Sequence, residues 1–276
     1  MTSVLDRSSR VDGHDAVDEA THLRLRHQGL RDSSLWLVTD EDDAGEPHGF
    51  ALRHREGLDL VVAPPARGRG VATALTTAAL QAPGPLSAWS HGDHPAARRL
   101  ASRHGLAAAR SLWVMRRSMS SPLPALEVPA GVRVRGFDPD EPTDAEAVLR
   151  VNAAAFAHHP EQGALDAPGL AERMAEPWFD PAGLLLAVDD SGVLGFHWTK
   201  RHSPALGEVY VVGIAPQAQG RGLGRVLTLA GLHHLVEGGS ADVLLYVESE
   251  NAPARAVYER LGFTHAAADT HVQYRR

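Results

Sequence analysis

The most regular pattern of apolar positions lies in the second half of the chain. Residues 209–215 form a continuous apolar run rich in β-branched side chains, which predicts a buried strand. Pro216 ends this strand, because proline cannot donate to a β-ladder. Residues 223–236 then repeat apolar positions with a helical period. The glycine-rich segment 219–224 between them predicts a tight strand-to-helix turn.

The same criteria predict the other elements of the chain. In the first half these are helix 15–27, strands 34–39, 49–53 and 58–63, and helix 74–80. In the second half they are strand 132–136, helix 142–156, the hairpin strands 184–188 and 193–199, strand 209–215, helix 223–236, strand 242–247, helix 252–261 and strand 271–275. This order predicts an α/β fold, an α+β mixed sheet with helices on both faces.

The two halves of the chain repeat one unit. The glycine-rich segment 67–72 follows an apolar strand and a proline pair, as segment 219–224 does in the second half. Further downstream, segment 94–100 corresponds to segment 251–257. Several matches in one order predict two copies of one domain. Prolines and small residues at 119–130 predict an extended linker, so the predicted domains are 1–118 and 131–276.

Composition and charge narrow the class of protein. The 276 residues are 43% hydrophobic and 22% charged, which is typical of a globular protein, and the net charge of −7 disfavours nucleic acid as a partner. There is no Cys, which excludes disulfides and a thiol nucleophile. No metal is expected, because the adjacent His158 and His159 cannot normally chelate one ion. Without a signal-peptide or membrane-span pattern, we expect a cytoplasmic monomer.

The glycine-rich segment 219–224 has the properties of an anion site. Its glycines let the backbone approach a ligand, and the N–H groups and the dipole of the following helix face one point. The spacing fits neither a Rossmann fingerprint, whose last glycine would fall on Arg225, nor a P-loop, which ends in Gly-Lys-Ser/Thr. The pattern Gln/Arg-x-x-Gly-x-Gly/Ala resembles the pyrophosphate loop of the GNAT acyltransferases. That resemblance implies two tandem GNAT domains and acetyl-CoA as co-substrate; a turn without a ligand is the alternative.

Acetyl transfer from a thioester to an amine needs a base, an oxyanion donor and an acid. Glu208 opens the central strand and can accept the amine proton, unless it is only a solvated Glu at a strand end. Tyr258 can protonate the leaving thiolate, unless its ring is only packed in the core. The Val212 N–H can meet the thioester oxygen, and Asn251 can cap a helix or bind the pantetheine arm. Gly213 indicates a bulge or a close approach of the ligand.

Three longer segments resemble the mycothiol synthase family of tandem GNAT acetyltransferases, namely 156–163 (FAHHPEQG), 195–200 (GFHWTK) and 208–214 (EVYVVGI). The resemblance implies acetylation of the cysteinyl amine of 1-D-myo-inosityl-2-L-cysteinylamido-2-deoxy-α-D-glucopyranoside (Cys-GlcN-Ins) to give mycothiol and CoA. It implies substrate contacts at Glu19, Glu161, Lys200, Glu208 and Tyr246. It implies acetyl-CoA contacts at Val212, Gly213, Ile214, Gln219, Gly220, Arg221, Gly222, Leu223, Gly224, Arg225, Asn251, Ala252, Pro253, Ala254, Arg255 and Ala256, with first-copy counterparts at Leu60, Val61, Val62, Arg67, Gly68, Arg69, Gly70, Val71 and Ala72.

The first copy lacks part of this chemistry. Alignment of the copies sets Ala101 opposite Tyr258, and equal spacing sets Glu56 opposite Glu208. We therefore expect the second domain to be catalytic, and the first to be structural or to keep CoA without turnover.

Two other functions stay open. One is a GNAT enzyme for another amine, such as an aminoglycoside or a peptide N-terminus, and the other is a CoA-binding module without turnover.

Overall fold

The computed structural model describes residues 1–39, 46–159 and 162–276. Each half contains both helices and strands, and the strands pair both parallel and antiparallel, which confirms the predicted mixed α/β fold. The α-helices in the described residues are α1 (Thr2–Asp12), α2 (Glu19–His27), α3 (Val71–Ala79), α4 (Pro95–Arg103), α5 (Pro142–Ala155), α6 (Ala167–Met174), α7 (Leu223–Glu237) and α8 (Ala252–Arg260). The strands are β1 (Ser33–Val38), β2 (Gly49–His54), β3 (Gly57–Val62), β4 (Ser87–Ser90), β5 (Ala107–Ser118), β6 (Arg133–Gly136), β7 (Leu184–Asp189), β8 (Gly192–Arg201), β9 (Leu206–Ile214), β10 (Asp242–Glu248) and β11 (Thr264–Arg275).

Helix α1 is absent from the sequence-based prediction. Its sequence is mostly polar and buries only Val4 and Ser8, so it has no apolar stripe of the usual width. The predicted helix 15–27 begins later, at Glu19. Asp18 caps it, because the Asp18 carboxylate accepts a hydrogen bond from the Thr21 N–H at 2.8 Å.

The described chain divides into two compact units. Unit 1 contains residues 1–113 and 266–276, and unit 2 contains residues 114–265. The strand order is β1-β2-β3-β4-β11 in unit 1, which also contains residues 107–113 of β5, and β10-β9-β8-β7-β6 in unit 2, which contains residues 114–118 of β5. Strand β11 comes from the second sequence copy but pairs antiparallel with β4 in unit 1, where Val272 faces Ser90. The domain boundaries 1–118 and 131–276 stay a prediction about the sequence copies, since the compact units are not contiguous in sequence.

Large buried side chains support the central strands of unit 2. Phe196, Trp198 and Leu227 are almost inaccessible to solvent, and burial of one such side chain stabilises the fold by roughly 1.5–3 kcal/mol. Helices α5 and α7 both pack against β8 and β9. The two strands that carry most of the candidate site are therefore held in place by the core.

Candidate active site

Strands β9 and β10 separate part of the way along their length. They pair in parallel over four residues, from Leu206 opposite Asp242 to Val209 opposite Leu245. Beyond that point β9 continues to Ile214, paired with β8 on its other side. The edge of β9 beyond Val209 therefore faces an opening in the sheet of unit 2.

Hydrogen-bond alternation shows which backbone groups line this opening. The Ala215 N–H donates to the Leu194 carbonyl at 2.9 Å, so the next hydrogen-bonded pairs with β8 are those of Gly213 and Val211. The N–H and C=O groups of Val212 and Ile214 consequently point away from β8, towards the opening. This is the geometry that an extended ligand needs in order to pair with β9 as an extra strand.

A β-bulge lies beside this edge. The register of β8 and β9 shifts by one residue after Trp198, which leaves Tyr210 as the extra residue of β9. Gly213 is not part of the bulge, so that interpretation of Gly213 is wrong. A Cβ on Gly213 would lie 2.7 Å from the Phe196 ring, and the cross-strand contact explains the glycine.

The glycine-rich loop of unit 2 has an open backbone. Gly220 and Gly222 have φ values of +78° and +75°, which favour glycine, and a Cβ on either would meet nothing within 4 Å. Gly222 is the N-cap residue of α7, a 15-residue helix. The first N–H groups of α7 and the N–H groups of the loop are therefore available to an anion. The Arg221 guanidinium lies 3.4 Å from the Asp189 carboxylate.

The loop of unit 1 has the same backbone and different side-chain contacts. Gly68 and Gly70 have φ values of +75° and +85°. Arg67 donates two hydrogen bonds of 2.7 Å to the Asp12 carboxylate, and the guanidinium holds the pKa of Asp12 below its ordinary value. The Arg67 Nε–H also donates to the Val62 carbonyl at 3.1 Å. In unit 1 this arginine therefore ties the loop to α1 and β3.

Glu208 is buried in β9, with only 5% of its surface exposed. It is therefore not a solvated residue at a strand end. Its Oε2 atom lies 2.6 Å from the Nε2 atom of His202. Glu208 faces Lys200 on β8 and Leu244 on β10, and Tyr246 lies two residues after Leu244. The side chains of Lys200, Glu208 and Tyr246 therefore share one face of the sheet.

The ammonium group of Lys200 lies over two aromatic rings. The Nζ atom lies 4.8 Å from the centre of the Trp178 ring and 5.3 Å from that of the Tyr210 ring. The Arg173 Nε–H donates to the Tyr210 hydroxyl at 3.0 Å. Trp178, Tyr210 and His202 were not among the residues predicted from the sequence. His202 lies six positions before Glu208, but only a hairpin between β8 and β9 brings the two side chains together.

Tyr258 lies on α8, the helix that follows β10. Its ring packs edge-to-face on Phe263, with 6.0 Å between the ring centres. Burial raises the pKa of the Tyr258 phenol to about 12, so the phenol keeps its proton at neutral pH. Asn251 caps α8, because its Oδ1 atom accepts a hydrogen bond of 3.2 Å from the Ala254 N–H. The sequence left Asn251 as either a helix cap or a contact of the pantetheine arm, and this hydrogen bond is that of a helix cap.

Unit 1 differs from unit 2 at the position of the candidate base. Strands β2 and β3 pair without a register shift, so unit 1 has no counterpart of the Tyr210 bulge. The β2–β3 hairpin and the β8–β9 hairpin can be aligned from the pairs Gly49–Val62 and Gly195–Ile214. In that alignment Gly57, rather than Glu56, falls at the position of Glu208. The assignment of Glu56 is therefore wrong, because the bulge adds one residue to β9. Glu56 lies in the exposed turn between β2 and β3.

Two predicted substrate contacts remain, Glu19 and Glu161. Glu19 lies in unit 1, in the first turn of α2. Glu161 lies outside the described residues. In the described part of the chain, no helix is long and apolar enough to cross a membrane, and no three His, Cys, Asp or Glu side chains are arranged to hold a metal ion.

Known proteins resemble this chain over its whole length. The model of the family described as FR47-like protein matches residues 196–272, from β8 into β11. A mycothiol acetyltransferase of Nocardioides sp. (strain ATCC BAA-499 / JS614) is 59% identical, and the match covers 100% of this chain and 96% of the relative. The chain belongs to the mycothiol acetyltransferase family. Membership in that family confirms the predicted resemblance and makes the protein an acyltransferase.

Solved structures share the fold expected of a mycothiol acetyltransferase family member. A GCN5-related N-acetyltransferase from Sphaerobacter thermophilus superposes with a TM-score of 0.75 at 24% identity, covering 99% of this chain and 90% of that one. A tandem GNAT protein from the clavulanic acid biosynthesis pathway superposes with a TM-score of 0.71 at 19% identity, covering 99% and 92%. The predicted fold of two tandem GNAT domains is thereby confirmed.

Proposed function

We propose that this protein transfers the acetyl group of acetyl-CoA to the cysteinyl amine of Cys-GlcN-Ins, which yields mycothiol and CoA. The observation that carries the proposal is the buried carboxylate of Glu208, which shares one face of the sheet with Lys200 and Tyr246 beside the opening between β9 and β10. The name of the relatives, mycothiol acetyltransferase, supports the choice of acceptor.

The opening has two features that suit acetyl-CoA, an unpaired strand edge and the N-terminus of a helix. The backbone groups of residues 212–214 are suited to pair with the pantetheine arm. Residues 219–225, at the N-terminus of α7, are suited to the pyrophosphate. Residues 251–256 form the N-terminal part of α8 and stay proposed CoA contacts on the strength of the resemblance. The acceptor offers an ammonium group and many hydroxyls, for which Glu208, Lys200 and Tyr246 supply charged and polar partners.

The reaction follows from these groups in one direct transfer. Glu208 takes one proton from the ammonium group, so that the neutral amine nitrogen can attack the thioester carbonyl carbon. The second nitrogen proton leaves to solvent as the amide forms. The carbonyl oxygen becomes an oxyanion, for which the Val212 N–H is the donor. The C–S bond then breaks, and Tyr258 gives its proton to the leaving thiolate. Its pKa of about 12 keeps Tyr258 protonated before this step, and solvent returns the proton afterwards.

Turnover with purified protein tests the acceptor. Formation of the N-acetyl product, followed by mass spectrometry, should be at least ~100-fold more efficient in kcat/KM with Cys-GlcN-Ins than with an aminoglycoside or a peptide N-terminus. Equal or better turnover of another amine would transfer the proposal to that amine. Binding of CoA without turnover of any of them would favour a CoA-binding module instead.

Two substitutions test the chemical roles. Glu208→Gln keeps the size of the side chain but removes the base, and should lower kcat by roughly 10²–10⁴-fold. Tyr258→Phe removes the acid and keeps the ring contact with Phe263, so kcat should fall while the melting temperature stays close to that of the wild type. Wild-type turnover in Tyr258→Phe would remove Tyr258 from the mechanism.

We further propose that unit 1 has no acetyl-transfer activity of its own. It has Gly57 at the register position of Glu208 and Ala101 at the sequence position of Tyr258. Its loop arginine, Arg67, is already bonded to Asp12 and to the Val62 carbonyl. These three differences support a structural role for unit 1, and CoA contacts of residues 60–62 and 67–72 stay a prediction.

A further inference from the structure

The hairpin between β8 and β9 holds His202 in a defined position beside Glu208. The His202 N–H donates to the Leu206 carbonyl at 2.9 Å and closes the four-residue connection between the strands. The Ser203 hydroxyl accepts a hydrogen bond of 3.2 Å from the Leu206 N–H. Hydrogen bonds of Leu206 to His202 and to Ser203 thus hold the backbone of the turn that carries His202.

The imidazole is the hydrogen-bond partner of the buried carboxylate. The His202 Nε2 and Glu208 Oε2 atoms are 2.6 Å apart, with 33% of the His202 side chain exposed and 6% of the Glu208 side chain. An ionised carboxylate only accepts, so Nε2 carries the proton of this hydrogen bond. Among the described residues, no side chain bonds the other oxygen, Oε1.

Lys200 does not hold the Glu208 carboxylate in place of His202. It faces Glu208 across the β8–β9 ladder, but its ammonium group lies over the rings of Trp178 and Tyr210. The orientation of the Glu208 carboxylate therefore depends on the histidine. A carboxylate with one oxygen held and one oxygen available has a defined direction, which a base that must meet a particular amine proton requires.

We propose that His202 is a positioning residue for the acetyl transfer: its Nε2–H holds Oε2 of Glu208 and so presents Oε1 to the acceptor amine. The inference rests on the proposed function, because it takes Glu208 to be the base. His202 itself touches neither substrate nor the reacting atoms in this role.

Substitution of His202 by Gln or by Asn distinguishes a positioning role from a packing role. In His202→Gln the amide nitrogen can reach the place of Nε2, whereas in His202→Asn it reaches only the place of Nδ1. His202→Ala removes the donor altogether. His233→Gln is the matched control, since His233 lies on α7 and its Nε2 contacts the Pro124 carbonyl at 3.0 Å.

The expected result is a separation of kcat from KM. His202→Ala and His202→Asn should lower kcat for Cys-GlcN-Ins by ~10-fold or more and change the KM for acetyl-CoA by less than ~2-fold, since the CoA contacts are untouched. His202→Gln should recover kcat to within ~3-fold of the wild type. His233→Gln should match the wild type in both constants.

Two outcomes would overturn the inference. One is wild-type kcat in His202→Ala, and the other is equal kcat in the Gln and Asn variants, which would show that reach to Oε2 is irrelevant. If His202→Ala does not fold, the Gln and Asn pair still decides. Glu208→Gln, assayed in parallel, separates this inference from the proposed function: wild-type turnover in Glu208→Gln would refute the base itself. In the Glu208→Gln background, His202→Ala should have no further effect on kcat.

Discussion

Asp59 and Glu208 are both carboxylates on strands, and their surroundings differ. Glu208 has an imidazole donor on one oxygen, while Asp59 of β3 accepts a hydrogen bond of 2.9 Å from the Thr21 hydroxyl. Burial, with a smaller contribution from the nearby charge of Asp18, raises the pKa of Asp59 from 3.8 to about 6. Arg24 is 3.7 Å away and offsets only part of this.

The raised pKa of Asp59 predicts a pH dependence of stability. The neutral form is favoured in the folded state, so this stabilisation is complete below pH ~3.8 and is lost as the pH rises through about 6. The full effect is on the order of 3 kcal/mol. Asp59→Asn should therefore gain stability relative to the wild type between pH 5 and pH 8, measured by urea unfolding. A constant difference between the two proteins over this range would contradict the raised pKa.

The His197 ring leaves no room for a side chain at position 231 of α7. The ring is fully buried, its Nδ1 atom lies 2.8 Å from the Leu227 carbonyl, and a Cβ on Gly231 would lie 2.1 Å from the ring. Gly231→Ala should destabilise unit 2 by roughly 1–3 kcal/mol through overpacking. Gly224→Ala is the control in the same helix, because its Cβ would meet only Ile214 at 4.0 Å. Equal unfolding midpoints in the two variants would show that the helix can shift to accept the methyl group.

The two glycine-rich loops have the same backbone conformation but different proposed roles. Gly70 and Gly222 are both N-cap residues with positive φ, of +85° and +75°. A Cβ is strained in this conformation by about 1–2 kcal/mol at either position. Only the loop of unit 2 belongs to the proposed active site.

Matched substitutions in the two loops test this difference. Gly222→Ala should raise the KM for acetyl-CoA by ~10-fold, since the N–H groups at the start of α7 no longer keep their geometry. Gly70→Ala should cost a similar amount of stability and leave KM and kcat unchanged. Equal increases in KM would show that the loop of unit 1 also takes part in turnover.

The C-terminal segment 266–276 belongs to unit 1, although it follows the second sequence copy. Leu86 and Arg276 exchange backbone hydrogen bonds of 3.2 and 2.9 Å, and the Tyr274 hydroxyl donates to Asp93 at 3.0 Å. Truncation after Asp269 should therefore reduce the hydrogen-exchange protection of β4 far more than that of β10. Truncation that lowers protection in β10 first would contradict the assignment of residues 266–276 to unit 1.

Much of this molecule could be predicted from the sequence because its signals are local. Apolar periods placed most strands and helices of the second copy within a few residues, and helix α7 begins at the predicted Leu223. Helix α1 was not predictable in this way, since it buries only two side chains. The start of β11 at Thr264, seven residues before the predicted start, reflects a polar segment that becomes a strand through its pairing partners.

Residue order and the backbone freedom of glycine were enough to predict the repeat, the glycine loops and the family. The sequence also identified Glu208 and Tyr258 as candidates. Strand pairing in the folded chain was needed to show that Gly57 occupies the place of Glu208 in unit 1, that His202 contacts the Glu208 carboxylate, and that β11 pairs with β4. Register, a one-residue bulge and long-range strand pairing depend on contacts between distant segments, which no local pattern specifies.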